Sequence, residues 1–262
     1  MSIFFKTILG SLNSTIIAGG QIPDNKIVVE LGQSNMEGRD GDSANPNYPF
    51  SSSHSFYWNG SSPIALTTTR GGANGGSQAN YFADKYNQLT GNSVIVAEAA
   101  EGSTSLTNIR GGNSDWSATG NLRNSAISLI NGAINYYSEN APFCALWCQG
   151  ENDAGDIVNR GQTKANVKTA MQDLVDWWTN LYPNAPFIIS LLGYTTNTAS
   201  DYAYDLVREV QVEIAAENAN VFIGFERAKF FRDEGKLIDI VHYSYVGYKE
   251  MGESLATKLS DI

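Results

Sequence analysis

Residues 27–38 read IVVELGQSNMEG, a short apolar run that ends in glycine and leads into a polar segment containing Ser34. The run is rich in β-branched residues and largely unalternated, which is typical of a strand buried on both faces of a parallel sheet. Four further runs of this kind occur at residues 94–97, 144–147, 187–192 and 221–225. The sequence therefore predicts a five-stranded parallel sheet whose first strand covers residues 27–31.

Segments with helical periodicity separate these runs. Apolar residues recur every three or four positions across residues 122–137 and 167–181, and again across 206–214 and 248–259. Strands that alternate with helices predict an α/β fold in which helices cover both faces of the sheet, a three-layer α/β/α sandwich. A chain of 262 residues with 42% hydrophobic content suits one such domain, placed at 23–262 after an N-terminal arm or linker at 1–22.

The composition is acidic, with a formal net charge of -10 and a pI near 4.6. Nucleic acid and anionic membranes would repel such a chain, so neither is expected as a partner, and a neutral ligand fits better. Cys144 and Cys148 are the only cysteines, which argues against a disulfide framework. With two histidines and no Cys-x-x-Cys or His-Glu-x-x-His motif, no metal and no other cofactor are expected.

The first twenty residues faintly resemble a signal peptide, but they lack a charged n-region, and Lys6 and several polar residues interrupt the apolar stretch. No stretch approaches the roughly 18 apolar residues that a membrane helix needs. We therefore expect a soluble chain whose N-terminal arm docks on the domain or joins it to a larger assembly.

Ser34 directly follows the first strand. A serine at a strand-to-helix junction has its hydroxyl raised at the sheet edge, where the amides of the next helix can stabilise negative charge. Such a serine can act as a nucleophile, although an ordinary N-cap serine would look the same. The lipase motif Gly-x-Ser-x-Gly is not matched, because Met36 stands in place of the final glycine.

Asp239 and His242 stand in a turn between the fifth strand and the last helix. Three residues of separation let the carboxylate reach Nδ1 of the imidazole and leave Nε2 free to take a proton from a serine. The alternative is that His242 caps the following helix. His54, the other histidine, lies in a polar loop without an acid at similar spacing, so it is the weaker base candidate.

Two further segments carry candidates for stabilising an oxyanion. The segment QGEND after the third strand offers the side-chain amides of Gln149 and Asn152 as donors. Glu151 and Asp153 look like paired carboxylates, though two acids in a loop are more often solvated or structural. Gly102, after the second strand, allows close approach of the backbone, and its amide is another candidate donor.

Residues 38–76 are rich in Gly, Ser, Asn and Pro and show no sustained period, so they predict an unusually long connection. Because this connection follows the first strand, it is expected over the carboxyl edge of the sheet, where open α/β folds bind ligands. We interpret it as one wall of a substrate cleft.

Four motifs stand in the order of one known family: GQSNMEG at 32–38, GSTS at 102–105, QGEND at 149–153 and Asp-x-x-His at 239–242. Together they resemble the SGNH hydrolases, specifically the sialate O-acetylesterase-like and plant-type acetylxylan esterase branch of the carbohydrate esterases. The resemblance implies a flavodoxin-like fold and ester hydrolysis without a metal. It does not extend to residues 1–22 or to the long connection.

The same resemblance assigns roles to residues. It implies Ser34 as nucleophile, His242 as base and Asp239 as the group that orients the base. It also implies an oxyanion hole built from the Ser34 amide, the Gly102 amide and the Gln149 side chain. Asn152 is the second choice for the last donor, because the sequence also fits the Gly-x-Asn-Asp block of the wider superfamily.

We therefore expect a serine esterase that removes O-acetyl groups from a polysaccharide or a sialic-acid-type glycan through an acetyl-enzyme. Substrate contacts are expected from Trp116, Glu151 and Tyr194, with Tyr57 and Trp58 as further aromatic candidates. An inactive carbohydrate-binding module of the same fold and an SGNH lipase or thioesterase are the alternatives. The expected location is extracellular, as a secreted protein or part of a phage tail, with the cytoplasm and periplasm left open.

Overall fold

The computed structural model describes residues 25–39, 55–66, 76–112 and 114–262, which contain one seven-stranded sheet. Its strands are β1 (Asn25–Gly32), β2 (Ser55–Trp58), β3 (Pro63–Ala65), β4 (Ser93–Glu98), β5 (Cys144–Cys148), β6 (Phe187–Ser190) and β7 (Val221–Phe225). They are arranged in the order β3-β2-β4-β1-β5-β6-β7. Every neighbouring pair is parallel except β2 and β3, which are antiparallel.

The five predicted strands correspond to β1, β4, β5, β6 and β7, so the predicted α/β fold with a parallel sheet is confirmed. Their order across the sheet, second-first-third-fourth-fifth along the chain, is the flavodoxin-like arrangement. β1 lies between β4 and β5, and the direction of winding reverses between β1 and β5. In such sheets ligands bind beyond the carboxyl ends of the strands at this reversal.

Seven α-helices accompany these strands in the described part of the chain. They are α1 (Ser34–Glu37), α2 (Ala79–Thr90), α3 (Leu122–Tyr137), α4 (Glu151–Asn159), α5 (Lys164–Leu181), α6 (Asp201–Glu217) and α7 (Tyr245–Ser260). The periodicity predicted α3, α5, α6 and α7, but not α2 or α4. α4 is short, polar and interrupted by Gly155, so its sequence carries too few apolar residues to show a helical period.

The helices cover both faces of the sheet, as the three-layer prediction requires. Val29 and Leu31 of β1 face one apolar core, which includes residues of α3, α5 and α6. Val28 faces the other core, which includes residues of α2 and α7. Because both faces are covered, residues 27–32 of β1 are all buried, which explains the unalternated apolar pattern.

The long connection predicted over residues 38–76 is not wholly irregular. Residues 55–65 form β2 and β3, which extend the sheet beyond β4 as a hairpin. The side chain of Asn59 closes the turn, because its Oδ1 accepts hydrogen bonds from the amides of Ser61 and Ser62. Strands of four and three residues are too short to show a period in the sequence.

Several predictions concern residues outside the described ranges. This group comprises the N-terminal arm at 1–22, the rest of the long connection at 40–54 and 67–75, and His54.

Within the described residues, no helix is long and apolar enough to cross a membrane, and no cluster of three or more His, Cys, Asp or Glu side chains is arranged to hold a metal ion. Cys144 and Cys148 are buried free thiols.

Gly32, at the end of β1, lies so close to the backbone of β5 that it leaves no room for a side chain. Its φ of +133° disfavours other residues, and a Cβ at this position would lie 2.2 Å from the Cys148 carbonyl oxygen. Gly91 also has a positive φ, +74°, but a Cβ there would meet nothing within 4 Å. We expect Gly32→Ala to lower the free energy of unfolding by roughly 3 kcal/mol or more, and Gly91→Ala by about 1 kcal/mol.

Urea denaturation of the two variants measures both effects. Equal losses at the two glycines would show that the backbone of β5 does not restrict Gly32.

Candidate active site

The carboxyl ends of β1 and β5 bring two of the predicted motifs together. β1 ends at Gly32, and the amide of Gln33 donates a hydrogen bond to the Cys148 carbonyl at the end of β5, at 3.1 Å. Ser34 is the first residue of α1 and is 6% exposed. The serine therefore sits where the prediction placed it, at a strand-to-helix junction on the ligand-binding edge of the sheet.

The side chains of Ser34, His242 and Asp239 form a continuous hydrogen-bonded chain. Nε2 of His242 lies 2.9 Å from Oγ of Ser34, and Nδ1 of His242 lies 2.7 Å from Oδ2 of Asp239. With the imidazole proton on Nδ1, facing the carboxylate, Nε2 accepts from the serine hydroxyl. This is the geometry of a nucleophile, a base and a group that orients the base.

Asp239 also shapes the turn that carries His242. Its Oδ1 accepts hydrogen bonds from the backbone amides of Val241 and His242, at 2.8 and 2.7 Å. Partial burial acts to raise the pKa of Asp239, but the hydrogen bonds from the His242 ring and from the two amides outweigh it and hold the pKa below its ordinary value. The carboxylate is therefore ionised at neutral pH and faces Nδ1 as an acceptor.

Gly102 lies against the end of α1. The preceding loop is held to β1 by the amide of Glu101, which donates to the Gly32 carbonyl at 3.1 Å. A Cβ at Gly102 would lie 2.4 Å from Nη2 of Arg39 and 2.9 Å from Oε2 of Glu37. Those two side chains form an ion pair at 2.6 Å, so the absence of a side chain at Gly102 makes room for it.

Gln149 and Asn152 lie on either side of the start of α4. The Gln149 side chain is buried, with Oε1 3.3 Å from the Thr104 hydroxyl and Nε2 3.4 Å from a carboxylate oxygen of Asp153. Nδ2 of Asn152 is buried and has no hydrogen-bond partner among the described residues. Both amides thus remain candidates for the third oxyanion donor.

Asp153 is wholly buried beside Gln149. Its Oδ1 accepts from the Leu106 amide at 2.9 Å, which joins α4 to the loop that follows β4. Burial raises the pKa of Asp153 to about 6, against the hydrogen bonds from Leu106 and Gln149, which act to lower it. Asp153 therefore contacts the Leu106 amide and the Gln149 side chain, which agrees with the structural role that the sequence analysis set against paired acid–base carboxylates.

Two aromatic residues predicted to contact substrate are buried. Trp116 has no exposed surface, its Nε1 donates to the Gly32 carbonyl at 3.2 Å, and its ring packs edge-on against Trp147. The predicted stacking of Trp116 on a sugar is therefore wrong, because the indole supports the end of β1 from inside the core. Trp58 is 2% exposed within β2, so it is not a loop aromatic either.

Tyr194 is half-buried, and two guanidinium groups already lie over its ring. The distances from the ring centroid are 4.1 Å to Arg208 and 4.7 Å to Arg232. The Tyr194 hydroxyl donates to Asp205 at 2.8 Å. A sugar would have to displace a guanidinium group in order to stack there, so the structure does not present Tyr194 as a free binding surface.

Glu151, predicted as a substrate contact, is 7% exposed and lies beneath the site. Its Oε1 accepts a hydrogen bond from Nδ2 of Asn35 at 2.6 Å. The prediction for Glu151 is therefore corrected, because the carboxylate contacts protein. Sequence reasoning overlooked Asn35 altogether, although its place next to Ser34 and just after a buried strand was a signal that it lies inside the fold.

Comparisons with known proteins find one matching family and several similar folds. The model of the family described as carbohydrate esterase, sialic acid-specific acetylesterase (SASA) matches residues 24–261. No curated protein matches the sequence significantly. The structure is similar to that of a protein from Arabidopsis thaliana, with a TM-score of 0.68 and 18% identity over 91% of this chain and 98% of that chain.

Two further structures are similar. NanS has a TM-score of 0.61 and 13% identity, over 91% of this chain and 97% of that chain. A carbohydrate acetylesterase from Xanthomonas citri has a TM-score of 0.63 and 16% identity, over 88% of this chain but 54% of that chain. At these identities the likenesses establish a shared fold.

The pKa of Asp153 predicts a pH dependence of stability. Between its ordinary value of 3.8 and about 6, the folded state keeps the proton that the unfolded state has lost, so stability falls as the pH rises through this window. The loss amounts to about 3 kcal/mol. Asp153→Asn cannot ionise, so we expect the variant to lack this loss.

The measurement is the free energy of unfolding in urea at pH 4 and at pH 6.5 for both proteins. The difference between variant and wild type isolates Asp153, because the other titrating groups are common to both. A difference that does not change with pH would contradict the assignment.

Proposed function

Because the chain belongs to the sialic acid-specific acetylesterase family of carbohydrate esterases, and is thus a hydrolytic esterase, we propose that it removes O-acetyl groups from carbohydrate through an acetyl-enzyme on Ser34. The observation that carries the proposal is the hydrogen-bonded chain from Asp239 through His242 to Ser34, at 2.7 and 2.9 Å. It lies at the reversal point of a parallel sheet, where such folds bind their ligands.

In the first half of the reaction, Nε2 of His242 takes the proton of Ser34 while Oγ attacks the acetyl carbonyl carbon. The carbonyl oxygen becomes an oxyanion, stabilised by the amides of Ser34 and Gly102 and by the Gln149 side chain. When the tetrahedral intermediate collapses, the bond between the acetyl carbon and the sugar oxygen breaks, and His242 gives its proton to that oxygen, which leaves as a hydroxyl. The acetyl group is then left on Ser34 as an ester.

In the second half, water takes the place of the sugar hydroxyl. His242 accepts a proton from the water as its oxygen attacks the acetyl carbon, and the same donors stabilise the second oxyanion. Collapse breaks the bond to Oγ, and His242 returns the proton to Ser34. Acetate leaves and the free enzyme is regenerated.

The proposed substrate is an acetylated carbohydrate. The family description and the Xanthomonas citri acetylesterase of similar fold support this class. The net charge of -10 disfavours nucleic acid and anionic membranes as partners. An extracellular location, with the cytoplasm and periplasm left open, and attachment to a larger assembly through residues 1–22 are part of the proposal.

Ser34→Ala tests the nucleophile. We expect hydrolysis of p-nitrophenyl acetate and release of acetate from a panel of acetylated glycans to fall by about 10⁴-fold or more, because no other group forms the acyl ester. Ser260→Ala, which alters an exposed serine at the end of α7, is the control and should hydrolyse both substrates like wild type.

Other outcomes point to other functions. Wild-type protein that binds acetylated glycans but releases no acetate would identify an inactive binding module. Hydrolysis that rises with the acyl length of p-nitrophenyl esters would identify a lipase or thioesterase. Activity that survives in Ser34→Ala would refute the proposed nucleophile.

The choice between Gln149 and Asn152 needs a paired comparison. Loss of one oxyanion donor typically costs about 10² to 10³ in kcat, so Gln149→Ala should lose activity on this scale while Asn152→Ala loses much less. The measurement is kcat for p-nitrophenyl acetate, with circular dichroism to check folding. The reverse order would assign the donor to Asn152.

A further inference from the structure

Asn35 connects α1 to residues that lie between 116 and 213 positions further along the chain. Its Nδ2 donates to Oε1 of Glu151 at 2.6 Å and to the Val241 carbonyl at 3.2 Å. Its Oδ1 accepts from the Tyr243 amide at 3.2 Å and from the Tyr248 hydroxyl at 3.4 Å. A primary amide offers two N–H groups and two acceptor positions, so this buried side chain is fully used.

The partners fix which way the Asn35 amide points. The Tyr243 backbone amide can only donate, and the Val241 carbonyl can only accept. If the amide were rotated by half a turn, Nδ2 would face the Tyr243 N–H and Oδ1 would face the Val241 carbonyl, so neither hydrogen bond could form. Glu151 strengthens the same orientation, because its carboxylate accepts from Nδ2 as a charge-assisted bond.

The two backbone contacts of Asn35 lie on either side of His242. Val241 precedes the histidine and Tyr243 follows it, while Asn35 itself follows Ser34. The contacts of Asp239 with the Val241 and His242 amides, by contrast, lie within the turn and do not connect it to α1. The Asn35 side chain therefore links the turn that carries His242 directly to the helix that carries Ser34.

Glu151 adds an ionisable carboxyl group to this arrangement. It begins α4, where its Oε1 accepts a hydrogen bond from Asn35 and its carboxyl group lies near the backbone amides of Glu151 and Gly150. Burial raises the pKa of Glu151, whereas Asn35, these two amides and the charge of His242 act to lower it. A carboxylate at a helix N-terminus is favoured by the helix dipole, which supports the ionised form.

The ionisable groups that face Glu151 are His242 and three groups that are neutral at pH 7. These are Cys148 at the end of β5, Tyr204 on α6 and Tyr243. His242 in turn faces Asp239, whose side chain is 47% exposed, on its own turn. A protonated imidazole would thus be near two carboxyl groups, the exposed one of Asp239 and the buried one of Glu151. Water screens its attraction to the buried group less.

We propose that Asn35 and Glu151 are positioning residues for His242: Asn35 holds the turn against Ser34, and Glu151 orients Asn35 and stabilises the protonated imidazole from the buried side. The inference rests on the proposed esterase function. It assigns to Glu151 a role in the proton transfer without contact with substrate.

Three variants separate position from charge. Asn35→Ala removes the link between α1 and the turn, so kcat for p-nitrophenyl acetate should fall by about 10²-fold with little change in KM. Glu151→Gln can still accept from Asn35 but carries no charge, so kcat should fall by about ten-fold. Glu151→Ala removes both the acceptor and the charge and should be the weaker enzyme of the two.

Asp156→Asn is the matched control for loss of a buried charge on α4. Asp156 pairs with Arg110 and Arg160, away from the imidazole. This variant should lose stability but keep the pH dependence of wild type. If Glu151→Gln behaved in the same way, with lower stability and unchanged pH dependence of kcat/KM, Glu151 would be merely structural and the proposal would be overturned.

A readout that needs no turnover distinguishes failure of this proposal from failure of the proposed function. The chain has two histidines, so in a His54→Gln background the ring C–H protons of His242 give the only histidine ring signals in the NMR spectrum. In that background, Asn35→Ala and Glu151→Gln should each shift these signals, because the first variant releases the turn from α1 and the second changes the group that holds Asn35, whereas Asp156→Asn should leave them unchanged. Signals that do not respond to Asn35→Ala or Glu151→Gln would overturn the proposal, whether or not the wild-type protein hydrolyses esters.

Discussion

The parallel pairing of β1 with β4 on one side and β5 on the other is the constraint on which the site depends. Three parallel strands in contact end at the same edge, so the loops that follow them meet there. These loops carry Ser34, Gly102 and Gln149. Gly32 allows the close approach that this pairing needs, and its carbonyl accepts from Glu101 and Trp116, which holds the neighbouring loops in place.

The acidic side chains around the edge differ chiefly in their burial. Asp239 is partly exposed and stabilised as an anion by donors in its own turn. Glu151 and Asp153 belong to the same first turn of α4 but are buried, and burial raises the pKa of each. Burying two carboxyl groups lowers the stability of the fold. Buried ionisable groups with shifted pKa values are typical of functional sites.

The sequence predicts the parts of this molecule that depend on local pattern. The buried strands are recognisable in the sequence as unalternated apolar runs. The contact between Asp239 and His242 could also be predicted, because the two residues are three positions apart in one turn. The hairpin of β2 and β3 and the polar helix α4 were missed, because short or polar elements carry no period. Trp116 was misassigned because a loop residue can still point into the core.

The partners of Asn35 could not be predicted from local sequence pattern, because Glu151 and Tyr243 lie 116 and 208 residues away along the chain.

The central claim is that Ser34 is a nucleophile activated by His242. A fluorophosphonate reagent tests it most directly, because it forms a stable bond only with an activated serine, and peptide mass spectrometry locates the label. We expect one label per chain, on Ser34, and loss of labelling in His242→Ala. Labelling of a different serine, or equal labelling of Ser34 with and without His242, would contradict the claim.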